Sequence, residues 1–128
     1  MVEQITYGVK IQVKTNFEGT FYKDHKMLFA FGYQITIKNQ SKNSVQLNAR
    51  HWIIKDALNN TETVSGEGVI GKKPVLLPGE SHTYNSGCLL TSPIGSMKGY
   101  YQMINFTTNE VFKVEIPNFK LSAPYVLN

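Results

Sequence analysis

The residues most suggestive of chemistry are Gly66-Glu67-Gly68-Val69-Ile70-Gly71, a G-x-G-x-x-G run followed by Lys72 and Lys73. In a dinucleotide-binding domain such a run closes a strand and opens a helix whose N–H groups hold a pyrophosphate. Here Pro74 and Pro78 follow within a few residues. Pro78 would break any helix begun at Pro74, so that use of the motif is excluded. Two uses remain. The glycines can supply the positive φ angles of tight turns and bulges between strands. Alternatively, Gly66, Gly68 and Gly71 expose backbone N–H groups as an anion nest, with Lys72 and Lys73 adding charge; Glu67 weakens that use by placing a carboxylate inside the run.

Arg50 is the sole arginine. Its planar fork suits a phosphate or carboxylate; the alternation around it places it on the polar side of its strand, where a side chain can also simply lie across the sheet. His25, His51 and His82 lie far apart in sequence and lack the close spacing of metal pairs, so no metal site is expected. Cys88 has no cysteine partner; it reads as a small buried apolar residue, and a chain with one cysteine favours a reducing compartment. Ser86-Gly87-Cys88 is not a nucleophile elbow. No motif pairs Asp56 with Glu67 as acid and base, so no catalytic residues are assigned.

The elements that must position these residues have a period of two. Val9, Ile11 and Val13 alternate with polar partners; Met27, Phe29, Phe31, Tyr33, Ile35 and Ile37 occupy alternate positions of the next run, whose partners end in Gln34, Thr36 and Lys38, so its far half faces solvent on one side. Val45, Leu47 and Ala49 alternate with Gln46, Asn48 and Arg50 and lead to Trp52, expected in the core. Thr61 to Ser65, Ser81 to Tyr84, Met97 to Phe106 and Val111 to Ile116 read as further strands. Asn39 to Ser44, Asn59-Asn60, Ser92 to Gly95 and Thr107 to Asn109 read as turns. Residues 66–79 should be the longest irregular region, and Pro117 and Pro124 should flank a tail packed on an edge. No helical period persists. The expectation is an all-β, immunoglobulin-like or fibronectin type III-like β-sandwich of about seven or more strands, built as a single domain over residues 1–128.

Composition sets further bounds. A chain of 128 residues can bury roughly two-thirds of its unfolded surface and needs no disulfide or metal. The net charge of +4 comes from twelve lysines and one arginine against nine acids, scattered except for Lys72-Lys73. A weak preference for anions follows, without the basic helix or arginine cluster of a nucleic-acid binder. There is no apolar leader at the N-terminus and no stretch long enough to span a membrane, so a cytoplasmic protein is expected.

Four segments together resemble the ApaG family. They are Arg50-His51-Trp52-Ile53-Ile54-Lys55-Asp56; Gly66 to Gly71 with Pro74; Pro78-Gly79-Glu80 with Tyr84, Ser86 and Gly87; and Pro93, Gly95, Met97, Gly99, Tyr101 and Met103. Ile116-Pro117 and Phe119 fit the family's closing segment. The chain departs from the family pattern at Lys55, Lys73, His82 and Asn85, where threonine, glutamine, phenylalanine and threonine are expected. The turn after Asp56 is also longer than the family's, and the chain ends on Asn128 instead of histidine. The resemblance implies a fibronectin type III-like sandwich and a link to cobalt and magnesium resistance in bacteria. In eukaryotes, similar domains within F-box proteins and a polymerase-interacting protein imply protein-interaction modules. For the glycine motif it implies pyrophosphate or nucleotide binding.

The expected function is therefore that of a non-catalytic binding module without cofactor. It would take an unknown protein partner or a small phosphate anion, in a regulatory or metal-ion-homeostasis setting. Gly66, Gly68, Gly71, Lys72, Lys73 and Arg50 are the candidate anion-binding residues. The alternative is a metal-dependent phosphate-ester hydrolase. Oligomeric state is left open by the sequence.

Overall fold

A computed structural model describes residues 1–58 and 61–124. The expected Asn59-Asn60 turn lies outside the described residues. Among the described residues the chain forms nine strands: β1 (Val2–Thr6), β2 (Val9–Lys23), β3 (Lys26–Asn39), β4 (Val45–Asp56), β5 (Glu62–Glu67), β6 (Val75–Leu76), β7 (Ser81–Leu90), β8 (Ile94–Asn105) and β9 (Val111–Ser122). They build two sheets, ordered β1-β2-β3-β7 and β5-β4-β8-β9, with β6 pairing on β4. Every pairing is antiparallel. This is the all-β sandwich that the period-two pattern predicts.

The inward face of each sheet carries the alternate apolar residues. Ile11, Phe31, Ile35 and Ile37 from one sheet, and Leu47, Met97, Tyr101, Met103 and Leu121 from the other, are all fully buried. Trp52 is 4% exposed. Its ring meets Phe119 edge-on at 5.9 Å and Tyr33 at 5.6 Å, so aromatic packing joins the two sheets at the middle of the core.

The strands differ from expectation where bulges intervene. The Pro117 reading as a strand end is overturned, because β9 runs on to Ser122. Met97 pairs with Phe119 and Gly99 with Ile116, so Pro117 and Asn118 oppose Lys98 alone. A proline fits this edge-strand bulge because no ladder bond is asked of its missing N–H. Strand β7 likewise continues past Tyr84 to Leu90, since Ser86, Gly87 and Cys88 pair with Tyr33, Gly32 and Phe31. At the N-terminus Tyr7 and Gly8, at φ 50° and 80°, turn the chain from β1 into β2.

A bulge in β4 matters most for function. Its pairing with β8 shifts between Leu47 and Ala49. The extra residue, Asn48, reverses the alternation beyond it. Leu47 faces the core before the bulge; Arg50 and Trp52 face inward after it. The reading of Arg50 as a side chain on the polar side of the strand is thereby corrected.

Asp56 closes β4 and ties it to the β7–β8 corner. Its carboxylate accepts hydrogen bonds from Thr91 N–H at 2.7 Å, Thr91 Oγ1 at 2.8 Å, Ser92 Oγ at 2.6 Å and Leu58 N–H at 3.2 Å. Burial alone would raise its pKa, but the hydrogen bonds from Ser92, Thr91 and Leu58 outweigh it and hold the carboxyl below its ordinary value. A depressed folded-state pKa contributes stability above the unfolded value that is lost as pH falls through the folded one. Asp56→Asn should therefore cost about 2 kcal/mol in urea unfolding at neutral pH. The gap between variant and parent should close as pH falls below about 4.

Candidate functional site

The glycine run is a hairpin. Strand β5 ends at Glu67, and the N–H of Gly68 (φ +60°) donates to the carbonyl of Asn48, the bulge residue of β4, at 2.8 Å. Val69 and Lys72 then exchange two backbone hydrogen bonds of 2.8 and 3.0 Å around Ile70 and Gly71, at φ +47° and +71°. Positive φ at both central residues marks a type I′ turn. Val69, 1% exposed, anchors this turn in the core. A Cβ on Gly68 would lie 2.2 Å from the Lys72 carbonyl oxygen, and one on Gly66 2.9 Å from Arg50 Nη2. The spacing of the glycines thus meets the needs of backbone approach and turn geometry. The N–H groups of Gly68, Val69 and Lys72, which a nest would use, are committed to the chain itself.

Ile70 is a poor residue for its place, since a β-branched side chain resists positive φ. It is also 59% exposed and so contributes little burial. Ile70→Asn should stabilise the domain by about 1 kcal/mol, because asparagine tolerates the left-handed region. A higher melting temperature checks this.

Arg50 comes to the same place from β4. It pairs with Gly66 across the ladder, and its Nη1 donates to the carbonyls of Glu67 at 2.8 Å and Gly68 at 2.9 Å. The rest of its fork makes no hydrogen bond among the described residues. Arg50 lines a cavity of about 210 Å³ between the glycine turn and β7, walled by Trp52 and floored by Tyr33, Tyr84 and Ser86. Tyr33 pairs with Ser86 across the ladder, and burial, partly offset by the Ser86 hydroxyl, holds its pKa above the ordinary value. The Tyr84 hydroxyl lies 2.5 Å from that of Tyr101, and burial raises both. These phenols therefore remain protonated donors at neutral pH.

The structure brings Gly66, Gly68, Gly71 and Arg50 together. Lys73 turns outward to Glu67 at 3.5 Å, both side chains well exposed. Sequence reasoning missed Tyr33, Tyr84 and Ser86 as cavity residues. Their signal lay in the alternation of β3 and β7, which puts Tyr33 opposite Ser86 on the inner face.

His51 follows Arg50 but faces the other side of the sheet. Its Nδ1 lies 2.6 Å from Ser65 Oγ, its ring stacks on Tyr100 at 5.0 Å, and Lys113 Nζ sits 4.5 Å from the Tyr100 ring centre. This row crosses β5, β4, β8 and β9 and is set by register alone. Cys88 is half-buried; burial first, then Asp56 and Glu62, push its thiol up to about 11, which makes it a poor nucleophile. Among the described residues no three His, Cys, Asp or Glu side chains group as metal ligands.

Known proteins place the chain. The ApaG domain family profile matches residues 19–105. A Beijerinckia indica protein named Protein ApaG is 42% identical over 125 residues, spanning 98% of this chain and 95% of its own. A Vibrio cholerae Protein ApaG is 42% identical over 94% of each chain. An X-ray structure of a structural-genomics target superposes with a TM-score of 0.86 at 35% identity, covering 91% of this chain and 88% of that one. A Bordetella pertussis protein superposes at 0.81 with 33% identity, covering 92% and 95%. With matched sequence over nearly its full length and the same sandwich in solved relatives, the chain belongs to the ApaG domain family.

Proposed function

We propose that this ApaG domain is a non-catalytic binding module for a small oxyanion of the phosphate class, such as pyrophosphate or the phosphate end of a nucleotide. The observation that carries the reading is the inward turn of Arg50, whose fork is half committed to the glycine turn and otherwise uncommitted beside the cavity. A guanidinium held by two carbonyls is pre-oriented, so little side-chain freedom is lost when it takes an anion. Protonated phenols and the Ser86 hydroxyl are complementary to anion oxygens. Lys72 and Lys73 add long-range attraction.

Among the described residues the one carboxylate lining the cavity is Glu67, which is exposed and paired with Lys73. A fixed cation with hydroxyl donors is equipment for recognition without turnover, and this favours binding over the hydrolase alternative. Titration of labelled protein with pyrophosphate, followed by amide NMR, tests the site. Shifts should centre on Tyr84, Ser86 and Gly66 to Lys72 and spare His51 and Tyr100. Shifts confined to the outer-face row would contradict it.

One observation also favours a protein partner. Among the described residues the β2–β3 hairpin has no neighbouring strand beyond Phe29, and Phe21, Tyr22 and Met27 there are 40%, 73% and 41% exposed. Apolar residues on both faces of a two-stranded arm are the kind of surface another chain covers.

A further inference from the structure

His82 does not itself line the Arg50 cavity, but it packs against Tyr84, which does. It lies on the inner face of β7, two residues before Tyr84 and four before Ser86. Its ring stacks on the Tyr84 ring at 6.3 Å and 29°. Because β7 is the edge of its sheet, His82 sits half-buried at the open side of the sandwich. Neither ring nitrogen has a hydrogen-bond partner among the described residues, so both remain available to a ligand or to solvent.

The groups around it are cationic or committed elsewhere. Lys72 bears on it from the glycine turn. Arg50 acts on Tyr84 from β4 across the cavity. Lys38 on β3 pairs with Ser81, one residue away and on the outer face. Glu80, before β7, accepts the Leu77 N–H at 2.8 Å. Tyr84 is a protonated phenol. A proton on His82 in the empty site thus meets like charge and partial burial, with no carboxylate committed to it. An anion in the cavity would remove that conflict.

We infer that His82 is a second cationic group at the edge of the oxyanion site, taking up one proton as the anion binds, so that anion affinity strengthens as pH falls. The inference rests on the reading of the Arg50 cavity as an oxyanion site. In the empty protein, burial and then Lys72 hold the His82 pKa below its ordinary value, so the ring is neutral near pH 7 and must gain the proton on binding. An anion beside it reverses both influences. Binding then follows the population of the protonated ring.

Sulfate is the right probe, because it does not itself titrate across the histidine range and any pH dependence belongs to the protein. Its affinity should be measured by calorimetry from about pH 5.5 to about pH 7.5, a range that brackets the usual histidine value. For the parent, affinity should weaken several-fold across this range, approaching tenfold per pH unit where one full proton is linked. His82→Phe keeps the stacking surface on Tyr84 but carries no proton. It should bind sulfate at every pH about as weakly as the parent does at the upper end. Arg50→Lys should weaken sulfate at all pH values. A parent affinity that does not change with pH, or a pH dependence that persists in His82→Phe, would overturn the inference and leave the Arg50 site standing. Absence of sulfate binding at every pH would overturn both.

Discussion

Gly68→Val is expected to lower the melting temperature by about 10 °C or more, among the largest effects of any single substitution outside the central core. Two costs combine. The backbone at Gly68 has φ +60°, where a β-branched side chain is strained by about 1–3 kcal/mol. Its Cβ would also lie 2.2 Å from the Lys72 carbonyl oxygen, which is itself bonded to the Val69 N–H. Backbone cannot yield here without opening the turn. Opening it releases Val69 from the core and detaches the Gly68 N–H from Asn48, undoing the partner of the β4 bulge. Gly68→Ala meets the same oxygen with less bulk and should fall between parent and valine variant. Thermal unfolding by circular dichroism checks the order.

Arg50→Ala should act on both stability and binding. Removing the guanidinium leaves the Glu67 and Gly68 carbonyls without the donor that now reaches them at 2.8 and 2.9 Å. Part of that loss is made good by water, since the turn is at the surface, so a destabilisation of about 1–2 kcal/mol is expected. Oxyanion binding should fall by at least a hundredfold, about 2.7 kcal/mol, because the one cation that lines the cavity among the described residues is gone. Lys72→Ala with Lys73→Ala should lose only a few-fold and mainly at low salt, as exposed charges are screened over about 8 Å at physiological ionic strength.

Much of this fold is legible in the chain. The alternation of Val9 to Val13 and of Phe29 to Ile37 locates two central strands, and Trp52 is where a sandwich core needs a large aromatic. What cannot be read is parity across a bulge. Asn48 inserts one residue without any change in composition, and that residue decides whether Arg50 meets water or the cavity. The glycine run is visible, but the type I′ turn is not, because Ile70 is not a residue that turn chemistry favours. Tyr33, Tyr84 and Ser86 converge only through the register of β3 on β7, a long-range property that local patterns do not carry.

Calorimetric titration of the parent and Arg50→Lys with pyrophosphate tests most directly whether Arg50 holds an oxyanion. Lysine keeps the charge but loses the fork that reaches the Glu67 and Gly68 carbonyls while presenting further N–H groups to the cavity. Measurable binding heat and thermal stabilisation are expected for the parent at millimolar ligand, with a loss of tenfold or more in affinity for Arg50→Lys, roughly 1.4 kcal/mol or more. Equal binding by the two proteins, or no heat and no stabilisation in the parent, would contradict that role for Arg50.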